Sequence, residues 1–289
     1  MIKRIKINSE KIKETKCLLV VSDLHKTLSL KNDNLNKLQR YLEKHNTKID
    51  HILIPGDIIN DTKDLESEHF RSKFKEEIKE LVKDYPTIVS LGNHDETEKL
   101  PERNKIKKGD STKLIEILES IENVILLNNS KIKEIDGIKY ASFNPNLDYY
   151  EKYYGAKEEF YKQFMNNYKD IFNEEQFNIL LCHDPESIIR LSKEKNTCIQ
   201  SNTDIVVSGH MHNGFLPPIL NFIVKNKGII SPTKYYFPEY AHGEIDIDKT
   251  KFVINGAINS RVENPIINYI YGYNATMIEI NPKEKVIKR

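Results

Sequence analysis

The chain has 289 residues, 38% of them hydrophobic and 30% charged, enough for a sizeable core in one large domain or two small ones. Its 44 Lys and Arg balance 43 Asp and Glu to a net charge of +1, so the charge gives no hint of a polyanion partner. The apolar stretches are strand-length, and the basic opening MIKRIK leads into alternation (Ile2, Ile5, Ile7), so neither a spanning helix nor a secretory signal is expected.

In chain order, short apolar runs alternate with amphipathic segments. Residues 17–22 (CLLVVS) read as a buried strand. Leu35, Leu38 and Leu42 at helical spacing predict a helix over 34–45, with Asn32 or Asp33 as its cap. Residues 50–55 (DHILIP) give a second strand. Phe70, Phe74, Ile78, Leu81 and Val82 mark one face of a long helix that ends before Pro86. Residues 87–91 are a third strand, Leu114, Ile117, Leu118 and Ile121 a further helix, and 123–127 a fourth strand. This βαβα order predicts a mostly parallel sheet with helical cover. A hairpin follows around Asp136-Gly137. Residues 148–177 are rich in aromatics, and Phe160, Phe164 and Tyr168 read as a helix laid on the core, with a substrate lid as the alternative. Strands resume at 178–182 and 204–208, separated by a helix that Pro185 opens. From about residue 228 short strands alternate with turns at Asp248-Lys249 and Asn281-Pro282. No repeat, linker or domain boundary interrupts the chain. Two mixed sheets, one fed by each half and flanked by helices, make a four-layer α/β/β/α sandwich, a single domain over 1–289. The three cysteines, Cys17, Cys182 and Cys198, are odd in number and widely spaced, and read as reduced thiols of a cytoplasmic protein.

The chemistry lies at the strand ends. The first apolar run ends in Asp23 and His25, the second in Gly56-Asp57 with Asn60 beyond, and the third in Gly92-Asn93-His94-Asp95. The later two end in His183-Asp184 and in His210 with His212. Five of the nine histidines gather there, at the sheet edge where open α/β folds bind ligands; His45, His51, His69 and His242 have no such context. Two Asp, one Asn and four His suit two divalent transition ions such as Mn, Fe, Zn, Co or Ni. Asp57, with two oxygens, is able to bridge both. Two ions about 3.5–4 Å apart would clamp a phosphoryl group and hold a bridging hydroxide as nucleophile. Gly56, Gly92 and Gly209 mark places where the backbone must turn sharply close to the site.

Taken together, D-x-H, G-D-x-x-N, G-N-H-D, a lone His and G-H-x-H, in that order between residues 23 and 212, resemble the signature of the calcineurin-like metallophosphoesterases. The later stretches GHMHNG and INGAINSRVENPIINYI resemble the tail of that superfamily's single-domain bacterial phosphoesterases, except that Asn213 stands where a glycine is usual. The resemblance implies a first ion on Asp23, His25, Asp57 and His212, and a second on Asp57, Asn93, His183 and His210. It makes His94 the general acid or phosphate contact, with Asp95 orienting it.

The expected function is therefore di-metal-dependent hydrolysis of phosphomono- or phosphodiesters. The alternatives are a non-catalytic scaffold on the same fold, using the aromatic segment as a binding face, and a nuclease, which would need a basic stripe that is not seen. The expected partner is a small phosphoester, with nucleic acid disfavoured. The apolar loop 213–228, just past His212, either packs on the core or meets a lipid- or nucleotide-linked substrate.

Overall fold

The computed structural model describes residues 2–28, 34–100, 106–127, 131–145, 150, 162, 164, 166, 171–193, 202–217, 220, 223–232, 236–259 and 274–283. Two six-stranded mixed sheets face each other. The first runs β1 (Ile2–Ser9), β14 (Ala275–Pro282), β2 (Lys16–Val20), β3 (His51–Pro55), β4 (Thr87–Ser90) and β7 (Val124–Leu126). The second runs β12 (Gly243–Ile247), β13 (Thr250–Ile254), β11 (Ile205–Ser208), β10 (Phe177–Leu181), β9 (Ile138–Ser142) and β8 (Ile132–Ile135). A small hairpin, β5 (Thr97–Lys99) and β6 (Ile106–Lys108), stands apart.

The strands β2, β3, β4 and β7 pair in parallel, as do β9, β10, β11 and β13. The central strands β3, β10 and β11 are buried along their whole length and mostly apolar because both faces are covered. Leu18 and Val20 meet Ile179, Leu181, Ile205 and Val207 between the sheets. The alternate residues Leu19 and Val21 face the helices of the first sheet, and Leu180, Cys182 and Val206 those of the second. The period of two thus sorts each run into two cores. Helices α1 (Leu35–Lys44), α2 (Glu68–Val82) and α3 (Thr112–Glu119) carry the residues that close the first outer core. Helix α4 (Pro185–Lys193) closes the second through Ile188 and Ile189. In α2 Ser67 caps the start by accepting from the Phe70 N–H at 3.3 Å, and Phe70, Phe74, Ile78, Leu81 and Val82 are all buried.

The four layers expected from the sequence are present, with three differences. The chain's end does not stay in the second sheet: β14 inserts between β1 and β2, so Asn281-Pro282 ends a strand instead of turning. The first residues form β1, an edge strand, and β5 and β6 are additional. Helix α1 has Asn34 at its cap position with no side-chain cap bond; Asn32 and Asp33 lie outside the described residues. Of the aromatic segment, Phe164 is buried edge-on against Phe143 with centroids 4.9 Å apart, as a core-covering residue would be. Phe160 and Tyr168 lie outside the described residues.

Candidate metal centre

Both sheets deliver their carboxyl ends to one place. Past β2 and β3 the two backbones stay paired: the N–H groups of Asp23, His25 and Lys26 donate to the carbonyls of Gly56, Asp57 and Ile58. This brings Asp23 and His25 beside Asp57. In the second sheet the Gly209 N–H donates to the His183 carbonyl, which aligns the ends of β10 and β11. Asp23, His25, Asp57, His210 and His212 all hold left-handed backbone, with φ between 42° and 67°. Each such non-glycine residue costs on the order of 1 kcal/mol or more, and strain of this kind concentrates at functional sites. The crossing is tight. A Cβ on Gly92 would meet the Asp57 carboxylate and lie 2.5 Å from its backbone nitrogen, and one on Gly209 would lie 2.6 Å from Asp23 Oδ2.

Two buried groups result, and Asp57 belongs to both. Asp23, His25, Asp57 and His212 form one; Asp57, His183 and His210 form the other, the ligand atoms of each lying within 4.8 Å of one another. His25 Nε2 stands 3.0 Å from His212 Nε2 and 3.7 Å from Asp57 Oδ2, and His212 Nε2 is 3.5 Å from Asp23 Oδ1. His183 Nε2 is 3.1 Å from Asp57 Oδ2, while its Nδ1 donates to the Pro55 carbonyl at 2.7 Å. That bond fixes the ring and turns Nε2 inward, as metal-binding imidazoles require. The His210 N–H donates to both Asp23 oxygens at 3.1 and 3.2 Å.

The electrostatics select positive charge. Burial disfavours a charged His183, yet the Asp57 carboxylate overrides it and lifts the imidazole to about 9. Burial likewise works against ionised Asp57, but His183 and His94 hold it well below the usual carboxylate range. The buried Asn93 Oδ1 has no hydrogen-bond partner among the described residues. Buried acceptors of this kind need a donor or a cation, and the carboxylate, amide and imidazole set fits divalent transition ions.

His94 lies alongside, its ring edge-on to His25 at 5.0 Å. Its Nδ1 donates to the Asn60 carbonyl at 2.8 Å, and its backbone N–H donates to Asp57 Oδ1 at 2.8 Å. The orienting group expected from the sequence is therefore displaced. Asp95 instead accepts from the backbone N–H groups of Ile58, Ile59 and Gly92 at 2.9, 3.0 and 2.8 Å. It ties the G-D loop to the G-N-H-D loop, and the carbonyl of Asn60 holds the imidazole. Burial and the charge of Asp57 raise the Asp95 carboxyl to about 8, against the pull of those N–H groups.

Asn213, the departure from the expected glycine, keeps the turn. Its φ is 58°, and its side-chain amide donates to the Leu216 carbonyl. Asparagine tolerates this region better than most residues, with a local hydrogen bond as compensation. His242 is buried with Nε2 near the Lys227 carbonyl, a structural contact.

Two residues of the site were missed in the sequence: Asn255 and Asn259, fully buried in the stretch after β13. The Asn255 N–H donates to the Ser208 carbonyl and its amide to Ser22 Oγ. The N–H groups of Ile258 and Asn259 donate to the carbonyls of Ser22 and Asp23. The Asn259 amide donates to the Leu24 carbonyl at 2.7 Å and accepts from the Asn34 N–H at 3.0 Å. This segment stitches the D-x-H loop of one sheet to the G-H-x-H strand of the other. The signal was available, since polar residues directly after an apolar run are the rule that found the other five loops.

Among solved structures, the chain is similar to NAD nucleotidase from Haemophilus influenzae (15% identity, TM-score 0.41, 84% of this chain and 45% of that one). It is also similar to a 5'-nucleotidase precursor from Thermus thermophilus (12%, 0.43, 92% and 54%). A third is the phosphopantetheinyl hydrolase of Mycobacterium tuberculosis (13%, 0.42, 91% and 96%). The chain thus spans about half the length of the two nucleotidases and nearly all of the third. No curated protein matches it in sequence. The family model of the calcineurin-like phosphoesterases matches residues 18–214, a span that contains all five strand-end loops, and the chain belongs to that family.

Proposed function

We propose that the chain is one metallophosphoesterase domain over 1–289 that hydrolyses phosphomono- or phosphodiesters with two divalent ions. The observation that supports this best is Asp57, shared between two buried ligand groups. In this reading Asp23, His25, Asp57 and His212 hold the first ion, and Asp57, Asn93, His183 and His210 the second. When bound, the pair of ions supplies Lewis-acid stabilisation of the phosphoryl oxygens and a nucleophile at neutral pH. The protein's own part is to fix the ligands rigidly and to position His94. With Nδ1 donating to Asn60, Nε2 is the second ring nitrogen, and in the imidazolium form it carries the proton that would pass to the departing alkoxide, leaving neutral His94, or would be shared with a phosphoryl oxygen. A reducing, cytoplasmic compartment accords with Cys17 and Cys182 being free thiols. The scaffold reading gives no reason for the strain gathered at the candidate ligands, and the balance of 44 Lys and Arg against 43 Asp and Glu gives the nuclease reading no support.

The test is metal content and turnover together. Chelation should abolish hydrolysis of bis(p-nitrophenyl) phosphate, and Mn²⁺ should restore it at least in part. Asp57→Ala should lose both ions, and Asp23→Ala chiefly the first. Two ions retained per Asp57→Ala chain would overturn the shared-ligand assignment.

A further inference from the structure

The turn that carries His212 is built into a second feature. Gly214, two residues on, packs so closely on Gly228 that a Cβ on either would run into the other's Cα. The Gly214 carbonyl accepts from the N–H groups of Ile229 and Ile230 at 2.7 and 3.2 Å. Ile230 in turn bridges Tyr236, and the Phe237 N–H donates to the Ile229 carbonyl at 2.9 Å. The backbone is thus continuous by hydrogen bonds from the metal centre to a ledge at the surface. Phe215, half-buried, stacks on His212 at 6.0 Å and begins the path.

The ledge is apolar where a soluble surface should be polar. Tyr236 and Phe237 are each 73% exposed, Ile223 is 64% exposed and Ile229 45%, and Leu220 lies one turn from Ile223 through the N–H···O bond between them. Only Leu28 and Ile132 among the described large hydrophobics are comparably exposed elsewhere. Large exposed apolar side chains grouped in one segment mark an interaction site. Interleaved with them are Lys225 and Lys227, both exposed and neither in an ion pair among the described residues. Aliphatic and aromatic side chains beside lysines are the composition that enters an anionic lipid interface: the apolar groups reach the acyl boundary and the ammonium groups meet the phosphates.

We propose that the ledge around Ile223, Ile229, Tyr236 and Phe237 docks the protein on an anionic lipid surface, holding the metal centre over phosphoesters presented from that surface. The contact is peripheral, since no helix of the described residues is long and apolar enough to cross a membrane. The inference rests on the function proposed above only for its substrate, an amphiphilic phosphoester; the docking itself needs no turnover.

The experiment is co-sedimentation of the full chain with vesicles, of phosphatidylcholine alone and of equal parts phosphatidylcholine and phosphatidylglycerol. The wild type should sediment with the anionic vesicles and much less with the neutral ones, and added salt should release it. Lys225→Glu with Lys227→Glu should weaken partition at least about tenfold. Ile223→Ser with Phe237→Ser should abolish it while leaving thermal stability unchanged, because these side chains are exposed. No excess sedimentation with anionic vesicles, or binding retained in the apolar double variant, would overturn the proposal. So would concentration-dependent self-association without lipid that the same variant abolishes, which would make the ledge a contact between copies. Docking without hydrolysis of any phosphoester would instead overturn the function and leave the docking in place.

Discussion

His94 illustrates how much a single side chain's surroundings decide. Its backbone N–H donates to Asp57 Oδ1 and its Nδ1 to the Asn60 carbonyl, so the ring is fixed from two sides, and the proposed function gives its Nε2 to the substrate. His94→Ala keeps the backbone bond and should keep both metal content and melting temperature. General acids contribute about 10²–10⁴-fold, so kcat should fall by that much for esters with poor alcohol leaving groups and far less for nitrophenyl esters. Measuring kcat across diesters of rising leaving-group pKa checks this; equal losses throughout would leave His94 with a positioning role alone. Asp95 predicts the opposite pattern. It joins Gly92 to Ile58 and Ile59 and does not touch the imidazole, so Asp95→Asn should loosen two loops at once. An amide offers one acceptor oxygen where the carboxylate offers two, leaving a buried N–H unsatisfied at about 1–3 kcal/mol. Its activity should fall across all leaving groups alike, together with its melting temperature.

At the scale of the element, the stretch after β13 holds the site in shape. Asn259 is a single joint between that stretch, the D-x-H loop and the start of α1. Asn259→Asp preserves its shape and its acceptor for the Asn34 N–H but sets an oxygen against the Leu24 carbonyl. The expected cost is about 1–3 kcal/mol of stability. Affinity for the ion nearest Asp23 and His25 should fall more than for the other, read by calorimetric titration; equal weakening of both would mean a merely structural joint. This element also marks where legibility stops. The helical face of α2 and the five strand-end loops could be read because their information is local: a period, a glycine, a ligand type. Asn255 and Asn259 follow apolar residues as the other loops do, so their place was legible, but their partners Ser22 and Leu24 lie 233 and 235 residues away and no spacing announces such a contact. The same holds for β14. Its alternation of Met277 with Ile278 and Ile280 was readable as a strand, but alternation names no partner, so its place between β1 and β2 was not.

The two sheets are pressed face to face, and the two candidate ligand groups exist only while they stay in register, because Asp23 and Asp57 follow strands of one and His183, His210 and His212 follow strands of the other. At the opposite end of β3 one buried polar contact spans the same gap. His51, 1% exposed, reaches Tyr140 of β9 with Nδ1 2.7 Å from the phenol oxygen, and its Nε2 lies 3.3 Å from the Asp136 carboxylate in the β8–β9 turn. Lys16 of β2 holds the same carboxylate at 3.0 Å, and Asp50 adds its charge from the loop before β3. Nothing in the sequence tied His51 to Tyr140, since the contact joins strands 89 residues apart. Burial lowers the His51 imidazole below its ordinary 6.5, outweighing the pull of Asp136. The folded state therefore resists a proton that the unfolded chain accepts. Stability is fully present above about pH 6.5 and is lost as the pH falls through the folded value. Because Asp57 and His183 also have shifted pKa values, the informative quantity is the difference between wild type and His51→Gln in urea unfolding. That difference should be steady above about pH 6.5 and shift in favour of the variant at lower pH. Tyr140→Phe should cost about 1 kcal/mol at neutral pH by removing the phenol's hydrogen bond. A difference between wild type and His51→Gln that stays flat from neutral pH into the acid range would show that the contact between the sheets is indifferent to protonation at His51.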